Sequence, residues 1–524
     1  MKIIKPNQNE MKEVEKLFNL NDFDSLKIKV KNLIAIYPNY YNLYNILGVV
    51  YQKKGNFNEA ILNFKKSINI NPNFDQAYNN LGNVLHKVHK SNEAIKNYHK
   101  AIEINPNYAI AYTNLGNTLA DLEKFDEALI NQKKAVKLEP NNPDFRINLG
   151  TSLKNLGEFE QSMYSYEKAV NLNPNYAEGY SNLGAALTEL GRFKEALAKY
   201  KKALELNPNY KKAHLNEAFV RLNLKEFKIG WNKYEFRLGE GGDTPMRYEI
   251  SKIWDGNYLN GTLLVWGEQG LGDHIMFSSM LKDLTKYSKK VILEIDNRLE
   301  NLFSRYFEKE KLINIKVIKQ GEERKFDKHI PIGSLGQYLR KSEKSFKTSP
   351  KKYLQPSPSR EGELKDKFFN NKKFKVGVAW KTLNKTQKFR NIDLKKMLPI
   401  FSNPNCDFIN LQFGKFDQES EDLKLKYSTN IKSINEVDNY SDIDGLAALI
   451  NCLDLVITIE NTTMHLSAAL GKNTWVMLSK NSRWHWFGDK EKSLWYPSMK
   501  IFKQEKIGNW DSVINNISEQ LKYN

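Results

Sequence analysis

LVITIENTTMHLSAAL, residues 455–470, is the stretch from which the rest of the chain can be read. Leu455-Val456-Ile457-Thr458-Ile459 is short, apolar and β-branched, the composition of a strand buried on both faces. Glu460-Asn461-Thr462-Thr463 follows, and the small apolar run 464–470 reads as a helix that Gly471 stops. The first N–H groups of a helix have no partner within it, and the helix dipole adds partial positive charge there. Such a start suits a phosphate or diphosphate. The same residues also describe an ordinary capped helix, with Asn461 or Thr462 as the N-cap. Local sequence leaves both readings open.

Working outward, short apolar runs at 263–266, 291–295, 329–332, 376–380, 408–411, 455–459 and 475–478 alternate with helical stretches. That rhythm predicts α/β structure with parallel sheets of doubly wound type. A Lys-, Ser- and Pro-rich stretch at 341–363 divides it into two smaller lobes, 250–345 and 371–524, joined by a linker over 346–370. Ligands of such sheets sit beyond the carboxyl ends of the strands, so two facing lobes form a cleft there.

The first lobe opens with Leu263-Leu264-Val265-Trp266, then Gly267-Glu268-Gln269-Gly270-Leu271-Gly272-Asp273-His274 and a helix. Gly270 and Gly272 lie in a strand-to-helix turn where a ligand can approach the backbone. The turn matches neither G-x-G-x-x-G nor a P-loop, which disfavours a dinucleotide fold or an NTPase. Asp273 falls at the helix start, where it is either a cap or a carboxylate that takes a proton from an attacking hydroxyl. His274 is the fallback base.

The N-terminal half has a different period. Leu-Gly recurs at 47–48, 81–82, 115–116, 149–150 and 183–184, always 34 apart, and Pro38, Pro72, Pro106, Pro140, Pro174 and Pro208 keep the same interval. Ala60, Ala94, Ala128 and Ala196 do too, with Ser162 in the remaining place; Tyr44, Tyr78, Tyr112 and Tyr180 hold a large position that Arg146 interrupts. This is the signature of the tetratricopeptide repeat, a helix–turn–helix unit that stacks into an α-solenoid. Five clear repeats occupy about 41–210, and degenerate flanking helices extend the solenoid over 1–238. A further column, Asn80, Asn114, Asn148, Asn182 and Asn216, lies on the first helices, which line the concave face of a solenoid. Amide side chains both donate and accept, so the column is either a peptide-backbone reader, widened by Asn83 and Asn117, or a recurrent feature of the repeat.

Composition excludes several classes. The net charge is +19, but the basic residues are spread along all 524 positions, and neither paired Cys/His fingers nor an RNP-type motif accompanies them. A nucleic-acid partner is therefore not expected. Two cysteines make no disulfide framework, no apolar run is long enough for a signal peptide or a membrane span, and the expectation is a cytoplasmic protein. The eight histidines show no metal-ligand spacing, and Asp442-Ile443-Asp444, which looks like a D-x-D metal pair, precedes a helical run that it would cap. Asp22-Phe23-Asp24 lies inside the repeats. No metal or other cofactor is expected.

Together, GEQGLGDHIMFSSML (267–281), VGVAWKT (376–382), RNIDL (390–394), DFINLQFGK (407–415), DLVITIENTTMHLSAALGK (454–472) and WHWFGDKEKSLWYPSMKIFKQ (484–504) resemble the C-terminal domain of bacterial tetratricopeptide-repeat glycosyltransferases. That domain is similar to the heptosyltransferase family, and the architecture resembles protein O-GlcNAc transferases. The resemblance implies two Rossmann-like lobes of GT-B type and an inverting, metal-independent hexosyl- or heptosyltransferase, with a nucleotide-diphosphate sugar as co-substrate. It implies Asp273 as general base, and Asn461, Thr462, Thr463, Met464 and His465 around the donor diphosphate. Gln412 and Lys415 resemble a Gln-x-x-Lys pair that contacts the nucleotide, and Lys381 and Arg390 fall where relatives carry donor contacts. Glu460 stands where an aspartate is usual. The acceptor implied is a protein hydroxyl presented by the repeat groove. The alternatives are a glycolipid or polysaccharide acceptor with the repeats as a docking arm, or a non-catalytic scaffold.

Overall fold

The computed structural model of the protein describes residues 4–312, 314–321, 324–382, 390–414, 417–427, 429–489 and 491–523. Its contacts divide into two compact units, Met1–Ala186 and Leu187–Asn524.

The first unit is a stack of antiparallel helix pairs: Gln8–Asn19 with Phe23–Ile36, Tyr41–Lys53 with Phe57–Ile70, Asp75–Lys87 with Ser91–Ile104, Ala109–Asp121 with Phe125–Leu138, and Pro143–Asn155 with Phe159–Leu172. The repeated glycine is explained by what faces it. A methyl group on Gly48, Gly82 or Gly150 would lie 2.6 Å from the ring of Phe64, Tyr98 or Tyr166, each on the second helix of the same repeat. These helices touch because the side chain is missing. Gly82→Ala is therefore expected to cost about 1–3 kcal/mol through overpacking, read as a lower urea midpoint. Gly362, with nothing within 4 Å of its would-be Cβ, should respond with the opposite sign when changed to Ala.

Arg146, the odd member of the tyrosine column, performs the same task as Tyr44. Tyr44 Oη donates to the Pro38 carbonyl at 3.0 Å, and Arg146 Nε donates to the Pro140 carbonyl at 3.2 Å. His214 bonds Pro208 from the same position at 2.9 Å. Ser162, in the alanine column, is buried and donates to the Gly150 carbonyl at 2.7 Å.

The second unit begins with repeat-type helices (Phe193–Leu206, Lys211–Asn223 and Phe227–Tyr234) and continues into two parallel sheets. The first sheet contains β1 (Leu259–Trp266), β2 (Ser288–Ile295), β3 (Ile315–Lys319) and β4 (Lys328–Pro331) in the order β3-β2-β1-β4. The second contains β5 (Phe374–Ala379), β6 (Cys406–Asn410), β7 (Ile431–Lys432), β8 (Leu455–Ile459), β9 (Thr474–Leu478) and β10 (Met499–Lys503) in the order β10-β9-β8-β5-β6-β7. The strand order reverses between β5 and β8, the topological switch point of a doubly wound sheet, where ligands bind beyond the carboxyl ends. LVITI is β8, central and fully buried.

Two expectations are corrected. Helices Lys211–Asn223 and Phe227–Tyr234 do not close off a separate solenoid ending at 238: Leu222, Phe227 and Trp231 share one core with Val265, Ile275 and Met276, and Trp231 Nε1 donates to the Arg340 carbonyl at 2.8 Å. Apolar burial outweighs the change of repeat type here. Nor is 346–370 a free linker. Phe346, Tyr353 and Leu354 are buried, the Tyr353 N–H donates to the Ala469 carbonyl at 2.9 Å, and helix Pro358–Phe368 packs on helix Ile443–Asn451. Polar side chains between those anchors disguised a packed segment.

Among the described residues, no helix is long and apolar enough to cross a membrane, and both cysteines are free.

Candidate functional site

The end of β8 positions the central feature. Asn461 is extended (φ −150°, ψ −177°), and its Oδ1 accepts the Met464 N–H and the Thr458 hydroxyl, both at 3.1 Å. It is the N-cap of helix Thr462–Ala469, which leaves the first N–H groups facing forward. Thr463 and His465 are buried behind them, and Met464 points into the core. Two buried polar atoms at this turn, Asn461 Nδ2 and Thr463 Oγ1, have no hydrogen-bond partner. An unsatisfied buried polar atom is costly, so these two donors are available to a further partner at the helix start.

Beneath the turn lies a charged cluster. The Glu460 side chain is 6% exposed; its carboxylate meets Arg390 Nη1 at 2.8 Å, His485 Nε2 at 2.9 Å and Trp486 Nε1 at 3.1 Å. Burial pushes the Glu460 carboxyl up, but Arg390 and His485 more than reverse this and hold it well below the usual carboxylate range. Burial also depresses the Arg390 guanidinium, with Glu460 opposing. Glu460 is thus the internal counter-ion of Arg390 and a hydrogen-bond partner of the His485 ring.

His465 is neutral. Burial, with the nearby charge of His485, lowers its pKa from 6.5 to about 3, and Nδ1 shares a 2.7 Å hydrogen bond with Tyr496 Oη. The unfolded chain protonates this histidine below pH 6.5, whereas the folded one does not until about 3, so stability falls as pH drops through that window. From pH 6.5 to 5 the loss is about 2 kcal/mol at ~1.36 kcal/mol per unit. His465→Asn is expected to flatten the pH dependence of urea unfolding by that amount. An unchanged slope would assign the dependence to other histidines.

The flanking candidates serve the framework. Gln412 Oε1 accepts the N–H groups of Trp380 and Lys381 at 2.9 and 2.8 Å, and its Nε2 donates to the carbonyls of Lys381 and Phe413. Its amide therefore ties the end of β5 to the end of β6, rather than facing a ligand as the resemblance implied. Lys381 Nζ pairs with Glu419 at 2.5 Å. Lys415 lies outside the described residues.

From the first lobe, helix Leu271–Ser278 packs against helix Thr462–Ala469. A methyl on Gly272 would sit 2.7 Å from His465 Cδ2, so this glycine permits the two helix starts to meet. Asp273 Oδ2 accepts the Gly270 N–H at 3.2 Å, the cap expected of it. Its charge is felt by Tyr496, which burial, then Tyr353 and Asp273, push far above the ordinary tyrosine value. His274 is buried, its Nδ1 accepts the Asp296 N–H at 3.2 Å, and burial lowers its pKa. That engagement corrects its reading as a fallback base: the ring supports the turn from below.

Sequence reasoning missed the brace behind this turn. Gln269 adopts φ +63°, a left-handed conformation unusual for glutamine, and Tyr234 Oη donates to its Oε1 at 3.0 Å. Arg237 and Glu268, both fully buried, form a two-point ion pair, and Glu268 also accepts the Gly333 N–H at 3.0 Å. These partners come from distant parts of the sequence and leave no periodic trace.

The D-x-D pair is engaged elsewhere. Asp442 caps helix Ile443–Asn451 and pairs with Arg360 at 2.5 Å, while Asp444 pairs with Arg305. In the asparagine column, Asn80 donates to Asn45 Oδ1 at 3.0 Å and Asn114 to Asn79 Oδ1 at 2.9 Å, stitching successive first helices together. Asn83 accepts from Tyr98 and Asn117 from Gln132, again within the scaffold. Asn148 is half-buried and Asn182 is buried. Asn216 lines a cavity of about 520 Å³ together with Tyr210, Phe219 and Phe236.

Comparison with known proteins identifies the repeats. Tetratricopeptide-repeat family models match residues 76–108 and 177–210, 48–88 and 150–191, and 97–130. Protein FlbA of Caulobacter vibrioides is 31% identical over 317 residues, 56% of this chain; the chain spans about half of that relative's length (52%). Among solved structures, MamA is 27% identical and covers 31% of this chain with 95% of its own (TM-score 0.29). A thermophilic tetratricopeptide-repeat protein of Thermus thermophilus is 25% identical and covers 34% of this chain with 97% of its own (TM-score 0.30). The chain therefore carries an array of tetratricopeptide repeats, followed by an α/β region of parallel sheets.

Proposed function

We propose that the α/β region is a glycosyltransferase of the two-lobed GT-B type, inverting and metal-independent, that moves a sugar from a nucleotide-diphosphate donor to a protein hydroxyl recruited by the repeats. The observation that carries this reading is the meeting of two helix starts. The turn at Gly272–Asp273 lies against the turn at Asn461–His465, where buried donor atoms are unpartnered. One side supplies a carboxylate, the other an anion seat.

The chemistry balances in one displacement. The acceptor O–H gives its proton to the Asp273 carboxylate as its oxygen bonds the anomeric carbon. The bond from that carbon to the diphosphate oxygen breaks on the opposite face, inverting the centre. The leaving diphosphate keeps the electron pair, and its new charge meets the first N–H groups of helix Thr462–Ala469 and the Thr463 hydroxyl. Glu460, held ionised beside Arg390, fixes that guanidinium and the His485 ring in place rather than holding sugar.

The test is incubation of the purified chain with a panel of nucleotide sugars and a cell lysate. Sugar should appear on protein, inverted at the anomeric carbon. Turnover onto lipid or polysaccharide would overturn the acceptor assignment. Absence of donor binding and of turnover would leave a repeat scaffold, the reading favoured by the family matches falling within the repeats.

A further inference from the structure

The carboxyl edge of the second sheet bears further buried polar groups beside the anion seat. In the parallel register, Ile459 pairs with Met477 and Met477 with Phe502. Two residues beyond each come Asn461, Ser479 and Gln504, which thus follow three neighbouring strands at one level. They are 8%, 4% and 3% exposed, and in each one polar atom lacks a hydrogen-bond partner: Asn461 Nδ2, Ser479 Oγ and Gln504 Nε2. The two amides have a fixed orientation. Asn461 Oδ1 holds Met464 and Thr458, and Gln504 Oε1 accepts the Lys480 N–H at 3.4 Å, so both turn their NH₂ groups away from those contacts. Asn481 Nδ2, also buried and unpartnered, belongs to the same turn as Ser479, two residues further along the chain. Arg390 lies alongside, donating weakly to the Asn481 carbonyl at 3.5 Å, but its charge is balanced by Glu460.

We propose that Asn461, Ser479 and Gln504 form a neutral, donor-rich ledge that binds the uncharged, oxygen-rich part of the ligand: ribose hydroxyls, base carbonyls or sugar hydroxyls next to the phosphates. The logic is complementarity. Neutral N–H and O–H donors in a charge-balanced, buried setting match neutral acceptor oxygens, whereas the phosphates are served by the first N–H groups of the helix that Asn461 caps. The inference rests on the donor reading above for the identity of the ligand.

Calorimetric titration of the full chain tests it. The probes are pyrophosphate, nucleoside diphosphates (UDP, GDP and ADP) and the corresponding nucleotide sugars, each against the wild type, Ser479→Ala and Gln504→Leu. Pyrophosphate affinity should be unchanged. Affinity for the complete ligand should fall roughly 3- to 10-fold per substitution, the range of one neutral hydrogen bond. A loss already present with a nucleoside diphosphate assigns the ledge to the nucleoside; a loss confined to the nucleotide sugar assigns it to the sugar. Variants that bind the complete ligand as tightly as the wild type would overturn the ledge while leaving the seat intact. A wild type that binds none of the probes would overturn the donor reading and the ledge together. Thermal unfolding without ligand adds an independent check: Ser479→Ala removes a hydroxyl with no partner, so its midpoint should hold or rise. A marked drop would make the residue structural and overturn its role in the ledge.

Discussion

Asp273→Asn is expected to leave donor affinity intact and to lower sugar transfer by about 10²- to 10⁴-fold, the contribution of a positioned general base. Asparagine is the informative substitution because it separates the cap that Asp273 forms from the proton transfer proposed for it. Its Oδ2 caps the turn by accepting the Gly270 N–H at 3.2 Å, and an amide oxygen can still accept that bond. What asparagine cannot do is take the acceptor's proton. Alanine would remove both functions and confuse loss of the cap, about 1 kcal/mol, with loss of the base. His274 cannot substitute, since its ring is buried beneath the turn and bonded to the Asp296 N–H. Unchanged turnover in Asp273→Asn would exclude this carboxylate as the base.

The largest stability effect is expected from Glu268→Ala. Glu268 and Arg237 are both fully buried, and the guanidinium also donates to Ser334 at 2.9 Å and to Glu235 at 2.8 Å. Burial alone would depress the arginine, but Glu268, then Glu235, push it above its ordinary value, so it stays charged. Removing the carboxylate leaves that charge with one half-exposed partner, at a cost of about 3–5 kcal/mol. It also strands the Gly333 N–H that Glu268 accepts. The double variant Glu268→Leu with Arg237→Met should recover most of the loss, because replacing a whole buried pair by apolar groups is often neutral. Both are read from urea unfolding of the full chain. A double variant as unstable as the single one would show that the pair does more than neutralise itself. Since Glu268 adjoins Gln269 and the Asp273 turn, the single variant should also lower transfer.

The repeats were legible because a stacked unit must present the same contact to its neighbour every 34 residues. The glycines that keep this period face Phe64, Tyr98 and Tyr166. The asparagine column was legible as a pattern, but its use was not: Asn80 and Asn114 bond Asn45 and Asn79, which form a second column that breaks off at Thr113. In the α/β region the central strands were found because they are apolar throughout. The three that were missed, β3, β7 and β10, are all sheet edges, and IKVIK, IK and MKIFK carry the lysines that edges favour. Asp273, Asn461, Thr463 and His465 could be proposed from their strand-to-helix turns. Tyr234, Arg237 and Glu268 could not, nor could the alignment of Ser479 and Gln504 with Asn461. Those relations exist only once the chain has folded, and no spacing in the sequence encodes them.

The seat for the diphosphate is the claim on which the chemistry rests, and hydrogen exchange measures it directly. Exchange of the backbone amides of Thr462 and Thr463 in the full chain should slow when a nucleoside diphosphate is added, because those N–H groups become hydrogen-bond donors to phosphate oxygen, whereas the Met464 and His465 N–H groups already bond Asn461. Unaltered exchange at Thr462 and Thr463, with protection appearing only elsewhere or not at all, would contradict the account.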